Sequence, residues 1–329
     1  MAGSQGGDFG PLDVWIARTR LHNGVLRTPL LFSSALSRRT GADVYLKMEC
    51  WQLCGCFKVR GAINMVSALS DEKRKRGLVT CSSGNHGTAL AYAASIVGHP
   101  PTKVFLPTYA DPNKVSKLTA LGAEAVLSGD TFLETLDEAM RYAEDEGATY
   151  VHSHSHRLVI AGQGTIGLEL LEDLPDVQAM LVPIGGGGLI SGIATAVKSA
   201  APEVRIIGVE PTAAPGAYLS FRDGTCHERI ELRPSVADGL LGTLTPLTWQ
   251  IARDLVDDVL LVEEDEIIEA MKVFQQDEQL MLEGAAAVGL AAVLSGKADV
   301  EGQKTALILT GRNIDANAYN RLVGAAGRD

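Results

Sequence analysis

Nine short runs rich in Val, Ile and Leu recur along this chain, each parted from the next by polar or helical sequence. They are DVYLKM (43–48), GLVTCSS (77–83), KVFLP (103–107), EAVLS (124–128), TYVHS (149–153), AMLVPI (179–184), RIIGVE (205–210), VLLVEE (259–264) and ALILTG (306–311). Apolar runs this short, bounded by turn residues, read as buried strands. The intervening TFLETLDEAMRYAEDEG opens at Thr131, a capping residue type, carries Glu134 three residues later and ends at Gly147, which is the punctuation of a helix. The alternation predicts an α/β protein with parallel sheets flanked by helices on both faces. Ligands of such sheets bind beyond the carboxyl ends of strands, near helix starts. Three Gly- or Ser-rich turns fall at such places: SSGNHG (82–87), GGGG (185–188) and TGRN (310–313).

Composition narrows the classes. The 329 residues suffice for one large or two ordinary domains. A net charge of −11 argues against nucleic acid or an acidic membrane surface as partner. No apolar run reaches the ~18–20 residues of a membrane span, and MAGSQGGDFG lacks the apolar core of a signal peptide. Five cysteines without a paired spacing suit a reducing compartment, so a cytoplasmic location is expected.

Each turn has an ordinary and a chemical reading. GGGG follows a strand and opens an Ala-rich stretch; it reads as a flexible turn, or as bare N–H groups at a helix start that favour a phosphate. It is neither the spaced glycines of a dinucleotide site nor a P-loop. SSGNHG reads as a Ser/Asn cap or as a helix start that holds a carboxylate. Lys58, within CWQLCGCFKVRGA (50–62), reads as a surface lysine or as a desolvated amine able to attack an aldehyde. A lysine, a phosphate cradle and a hydroxyl-lined pocket together suit pyridoxal phosphate.

In order along the chain, GCFKVRGA, SSGNHGTALA, AGQGTIGLEL, GGGGLISGIA and TGRN resemble the segments of the serine/threonine dehydratase and serine racemase family, pyridoxal phosphate enzymes of fold type II, the tryptophan synthase β-subunit fold. The resemblance runs from about residue 20 to residue 320; EGAAAVGLAAVLSGK with TGRNID is most similar to catabolic threonine dehydratase-like members, including those of hydroxyectoine use. It implies that Lys58 bonds the cofactor aldehyde as a Schiff base, that Phe57 packs near the ring, and that Asn85 reaches the ring hydroxyl. It further implies that Gly185, Gly186, Gly187 and Gly188 hold the phosphate and that Thr310 faces the pyridine nitrogen. Ser82, Ser83, Asn85 and His86 would line the substrate carboxylate pocket, with Ser83 where racemases place a second proton-transfer group opposite the lysine. Lys58 and Ser83 are thus the expected catalytic pair. The expected reaction is dehydratase (ammonia-lyase) chemistry on a hydroxy amino acid of the L-threonine/L-serine type, giving a 2-oxo acid and ammonia. The rivals are racemisation and cofactor binding without turnover. A homodimer is expected, acting on a small amino acid.

Departures from the family pattern carry expectations too. The family's usual Thr-Gly-Ser before Phe-Lys is here Cys54, Gly55 and Cys56, and its frequent His-Pro start is replaced by HSHSH (152–156). The three histidines would share one face of an extended strand; the loop reads as a polar wall of the cleft, and the cysteines as small buried side chains rather than zinc ligands. Glu210 and Ala214 match two ligands of a divalent-ion site seen in relatives, but Gly216 stands where an acidic residue belongs, so no tight metal site is expected. Glu283 reads as a helix-start carboxylate. The expected division is a large domain of residues 1–68 and 152–329, with a small domain of 69–151 inserted between them.

Overall fold

The structure, a computed structural model, describes residues 8–21, 24–82, 84–110 and 112–324. Its ten strands are β1 (Leu30–Phe32), β2 (Asp43–Lys47), β3 (Leu78–Cys81), β4 (Thr102–Leu106), β5 (Glu124–Leu127), β6 (Thr149–Tyr150), β7 (Ala179–Pro183), β8 (Arg205–Pro211), β9 (Asp258–Val262) and β10 (Lys304–Ile308). They form a six-stranded sheet, ordered β1-β2-β10-β7-β8-β9, and a four-stranded sheet, ordered β5-β4-β3-β6. Every pairing is parallel except β1 with β2, where Leu31 faces Leu46. The nine expected strands are present. The addition is β1, three residues at an edge and largely exposed, too short to leave an apolar run in the sequence.

Strand alternation divides the large sheet's side chains between two cores. Leu181, Ile207, Val209 and Leu307 face one cluster with Phe274 and Leu290. Met180, Val182, Ile206, Ala306 and Ile308 face the other with Ile166, Ile190 and Ile193. On this second face, helices Arg157–Asp173 and Gly188–Ala200 lie nearly backbone to backbone. A Cβ built on Gly192 would stand 2.3 Å from the Ile160 carbonyl oxygen, and one on Gly164 2.6 Å from that of Gly192, while Gly162 makes the same close approach to Arg60 of helix Lys58–Ala68. The Thr131 cap is formed: its hydroxyl accepts the Glu134 N–H at 3.2 Å, and the helix spans Phe132–Asp145.

One expectation is corrected. TYVHS is strand only through Tyr150. Beyond it, His152 Nδ1 accepts the N–H groups of His154 (3.3 Å) and Ser155 (2.9 Å), and this side-chain capture of backbone donors ends the ladder in a turn. The three imidazoles therefore do not share a strand face. Among the described residues no helix is long and apolar enough to cross a membrane.

Candidate active site

The three turns converge. SSGNHG follows β3, GGGG follows β7 and TGRN follows β10, so all three lie at carboxyl ends of strands. The Lys58 segment is stitched to the last of them: Phe57 N–H donates to the Thr310 carbonyl at 3.0 Å, and Arg312 N–H to that of Gly55 at 3.0 Å. The result is a cleft of about 700 Å³, within the range of small-molecule sites. Phe57, Lys58, Ser82, Asn85, His86, Gly185, Gly186, Gly187, Gly188 and Thr310 all line it. Ser83 lies outside the described residues.

Lys58 opens helix Lys58–Ala68. Its Nζ donates to the Ser153 carbonyl at 3.3 Å and stands 5.1 Å from the Phe57 ring centre. Desolvation lowers its pKa, against smaller opposing pulls from Cys56 and Glu283, and this raises the share of free amine. Its helix is anchored by a buried charge cluster that the sequence does not announce. Arg60 spans Glu49 (2.8 and 2.9 Å) and Glu169 (2.7 and 2.9 Å), while Lys47 reaches Glu169 at 2.7 Å. Two cations meet two carboxylates, all essentially out of water.

The glycine loop accommodates an anion. Gly187 has φ +81°, a conformation that favours glycine, and caps helix Gly188–Ala200 with no side chain to take the first N–H groups. Those donors have no intrahelical partner and carry the positive end of the helix dipole. A Cβ on Gly186 would fall 2.3 Å from the His154 ring, and one on Gly187 2.4 Å from Leu244. The cradle is thus shaped by backbone alone, as a phosphate at a helix start requires.

The other walls are set by hydrogen bonds. His86 is buried and its Nε2 meets the Val151 carbonyl at 2.9 Å, so that nitrogen carries the proton and the other is an acceptor. Burial, followed by Lys58, takes its pKa down to about 3, which leaves it neutral. Glu283 precedes helix Gly284–Leu294 without capping it. Its carboxylate turns into the cleft and accepts from Asn85 Nδ2 (2.9 Å) and Asn313 N–H (3.0 Å). Burial, followed by Asp238, pushes this carboxyl up to about 7. In the HSHSH segment, His156 caps helix Arg157–Asp173, while Ser153 and His154 line the cleft, joined Oγ to Nδ1 at 2.9 Å. The HSHSH segment, through Ser153 and His154, and the TGRN turn, through Asn313, line the cleft as the sequence suggested; Glu283 is the wall residue that sequence reading missed, since its partners Asn85 and Asn313 are remote in sequence.

The departures resolve into packing. All five cysteines are free thiols; burial pushes Cys54 up to about 11 and Cys56 higher still, which keeps them protonated. Both oxygens of Glu210 are taken, by the N–H groups of Ala217 (3.0 Å) and Tyr218 (2.9 Å). Among the described residues no three His, Cys, Asp or Glu side chains gather as a metal would need.

A desolvated lysine and a glycine-only helix start line one cleft at strand ends of an open parallel sheet, an arrangement that suits an enzyme working through a phosphate-bearing aldehyde cofactor. The chain belongs to the family described as pyridoxal-phosphate dependent enzyme, which matches residues 21–311, and its fold is type II of that class. It is similar to the L-threonine ammonia-lyase of Thermotoga maritima, 46% identical over 312 residues, 94% of this chain and 77% of that one. It is also similar to the catabolic L-threonine dehydratase of Escherichia coli, 40% identical over 317 residues and 95% of each chain. Among solved structures, maize serine racemase superimposes with a TM-score of 0.89 at 36% identity, over 95% of this chain and 96% of that one.

Proposed function

We propose that this protein is a pyridoxal phosphate-dependent ammonia-lyase that removes the β-hydroxyl of an L-threonine- or L-serine-type amino acid, releasing a 2-oxo acid and ammonia. One observation carries the reading: the Lys58 amine and the Gly185–Gly188 loop line one cleft. The dehydratase relatives supply the reaction class. Bound there, pyridoxal phosphate supplies an aldehyde that condenses with amines and a ring that accepts the electron pair left on the α-carbon.

The chain's own residues do the rest. Gly185–Gly188 and the helix start behind them would hold the phosphate, Asn85 would donate to the ring hydroxyl, and Thr310, which lines the same cleft, would meet the pyridine nitrogen with a neutral hydroxyl. Lys58, once free, is the amine that takes the α-proton. A neutral hydroxyl there, rather than a carboxylate, would leave the ring nitrogen uncharged and the cofactor a weaker electron acceptor, which would favour elimination over transamination. Ser82, Ser83, Asn85 and the start of helix Asn85–Ile96 receive the substrate carboxylate, while neutral His86 shapes the pocket wall.

The reading includes two domains, 1–68 with 152–329 against 69–151, supported by strand membership: β3 to β6 form the four-stranded sheet and the rest the six-stranded one. It also includes a cytoplasmic homodimer; five free thiols suit a reducing compartment. The test is borohydride treatment followed by mass spectrometry, which should place the cofactor on Lys58, together with an ammonia assay over a panel of β-hydroxy amino acids. Lys58→Ala should cut ammonia release by roughly 10²–10⁴-fold or more while circular dichroism is unchanged. A label on another lysine, or no 2-oxo acid from any substrate, would sink the assignment. The likeness to serine racemase supports a second activity, read as D-isomer among the products.

A further inference from the structure

Three side chains from distant parts of the chain close a hydrogen-bonded set at one wall of the cleft. Asn313 Nδ2 uses both its hydrogens, one on the Cys54 carbonyl (2.8 Å) and one on Asn85 Oδ1 (2.7 Å). Asn85 Nδ2 gives one hydrogen to Glu283 Oε1 (2.9 Å), and Glu283 Oε2 takes the Asn313 N–H (3.0 Å). The backbone is cut to fit this set. A Cβ on Gly311 would lie 2.2 Å from Glu283 Oε1, and one on Gly55 2.7 Å from Asn313 Oδ1.

With Glu283 ionised, the form that two N–H donors on its carboxylate favour, the inventory of donors and acceptors fixes every orientation. An ionised carboxylate accepts only, and a primary amide offers two donors on nitrogen and acceptor sites on oxygen. Turning the Asn85 amide over would set its oxygen against the Glu283 carboxylate and its NH₂ against that of Asn313. Asn85 therefore has one hydrogen uncommitted among the described residues, and its oxygen is spoken for. Asn85 and the largely buried Glu283 both line the cleft.

We propose that Glu283 is a positioning residue that locks the Asn85 amide as a pure hydrogen-bond donor toward the cofactor's ring hydroxyl. The proposal rests on the reading that this hydroxyl lies against Asn85. A donor-only partner favours the ionised over the protonated hydroxyl, because the ionised form needs donors and has none to give. Glutamine at 283 has one acceptor oxygen for two N–H groups, so the lock opens although the size is kept.

The full-length protein, stripped of cofactor, is titrated with pyridoxal phosphate and with its 3-deoxy analogue, which lacks the ring hydroxyl; binding is followed by absorbance and fluorescence. Wild type should prefer pyridoxal phosphate. Glu283→Gln should lose roughly 10-fold or more in affinity for pyridoxal phosphate, as expected for one charge-assisted hydrogen bond, and leave the analogue's affinity unchanged. The pH at which the bound cofactor's visible band changes should also move up in the variant. Asn313→Ala, which opens the other half of the lock, should show the same selective loss and serves if Glu283→Gln fails to fold. Equal losses for both compounds would mark a merely structural role and overturn the proposal, as would no loss. If Asn85→Ala fails to discriminate between the two compounds, the placement of the ring hydroxyl falls first and the proposal with it.

Discussion

Position rather than a partner charge sets the state of Lys58: burial lowers its pKa, and its Nζ donates to a backbone carbonyl, that of Ser153. Removing the α-proton needs only this base, whereas racemisation needs a proton delivered to the opposite face. Ser83 is the residue that the family resemblance puts there. Ser83→Ala should therefore abolish D-amino acid formation on L-serine. Elimination should fall only by the loss of one hydrogen bond to the substrate carboxylate, ~1.5–3 kcal/mol or roughly 10- to 150-fold. Ammonia and D-isomer released by wild type and variant decide it; a variant that still makes D-isomer removes Ser83 from that role. The place of Lys58 in the cleft was legible because small residues and glycines around a lysine are wasteful on a surface. The Glu283–Asn85–Asn313 set was not, because 198 residues separate the first two and no local pattern encodes such a meeting.

Among elements, helix Lys58–Ala68 is held at both levels that matter. Its first residue faces the cleft, and two residues on Arg60 ties it to Glu49 and to helix Arg157–Asp173 through Glu169. Burial alone would raise the Glu169 carboxyl; Arg60 and Lys47 outweigh it and hold it below the usual range. Breaking a buried pair strands a charge, at a cost of ~3–5 kcal/mol. Arg60→Leu should accordingly lower stability by about that much, read by urea unfolding, and activity should fall with it as the helix start loosens. A loss under ~1 kcal/mol would mean that water reaches the cluster. Strands were legible as apolar runs because parallel strands are buried on both faces. The short exposed β1 left no such run. The end of β6 depended on a His152 side chain competing for backbone donors, which spacing alone does not reveal.

Across the whole molecule, the buried titratable groups set opposing slopes. Burial lowers His86 to about 3, His152 to about 4, and His154 well below its ordinary 6.5. Folded, these imidazoles hold fewer protons than unfolded ones, so stability rises with pH up to about 6.5. Burial raises Glu283 to about 7 and Glu210 to about 8 from 4.5. Their contribution is complete below the unfolded value and is lost as pH climbs through those raised ones. Burial lowers His156 as well, so four imidazoles oppose two carboxyls, and stability rises with pH below 6.5 and falls above it. Urea unfolding of the cofactor-free protein from pH 5 to 8 should peak near pH 6.5, and Glu210→Gln should flatten the descent toward pH 8. A profile rising steadily to pH 8 would show that these carboxyls ionise freely in the fold. The cradle at Gly185–Gly188 carries a different consequence, for descent and for engineering. On the proposed function it is all backbone and presents no side chain to trade for another chemistry, so a change of substrate falls to the wall. A library aimed at new amino acids would leave 185–188 untouched and sample Ser82, His86, Ser153 and His154, where a new side chain meets the ligand instead of evicting the phosphate.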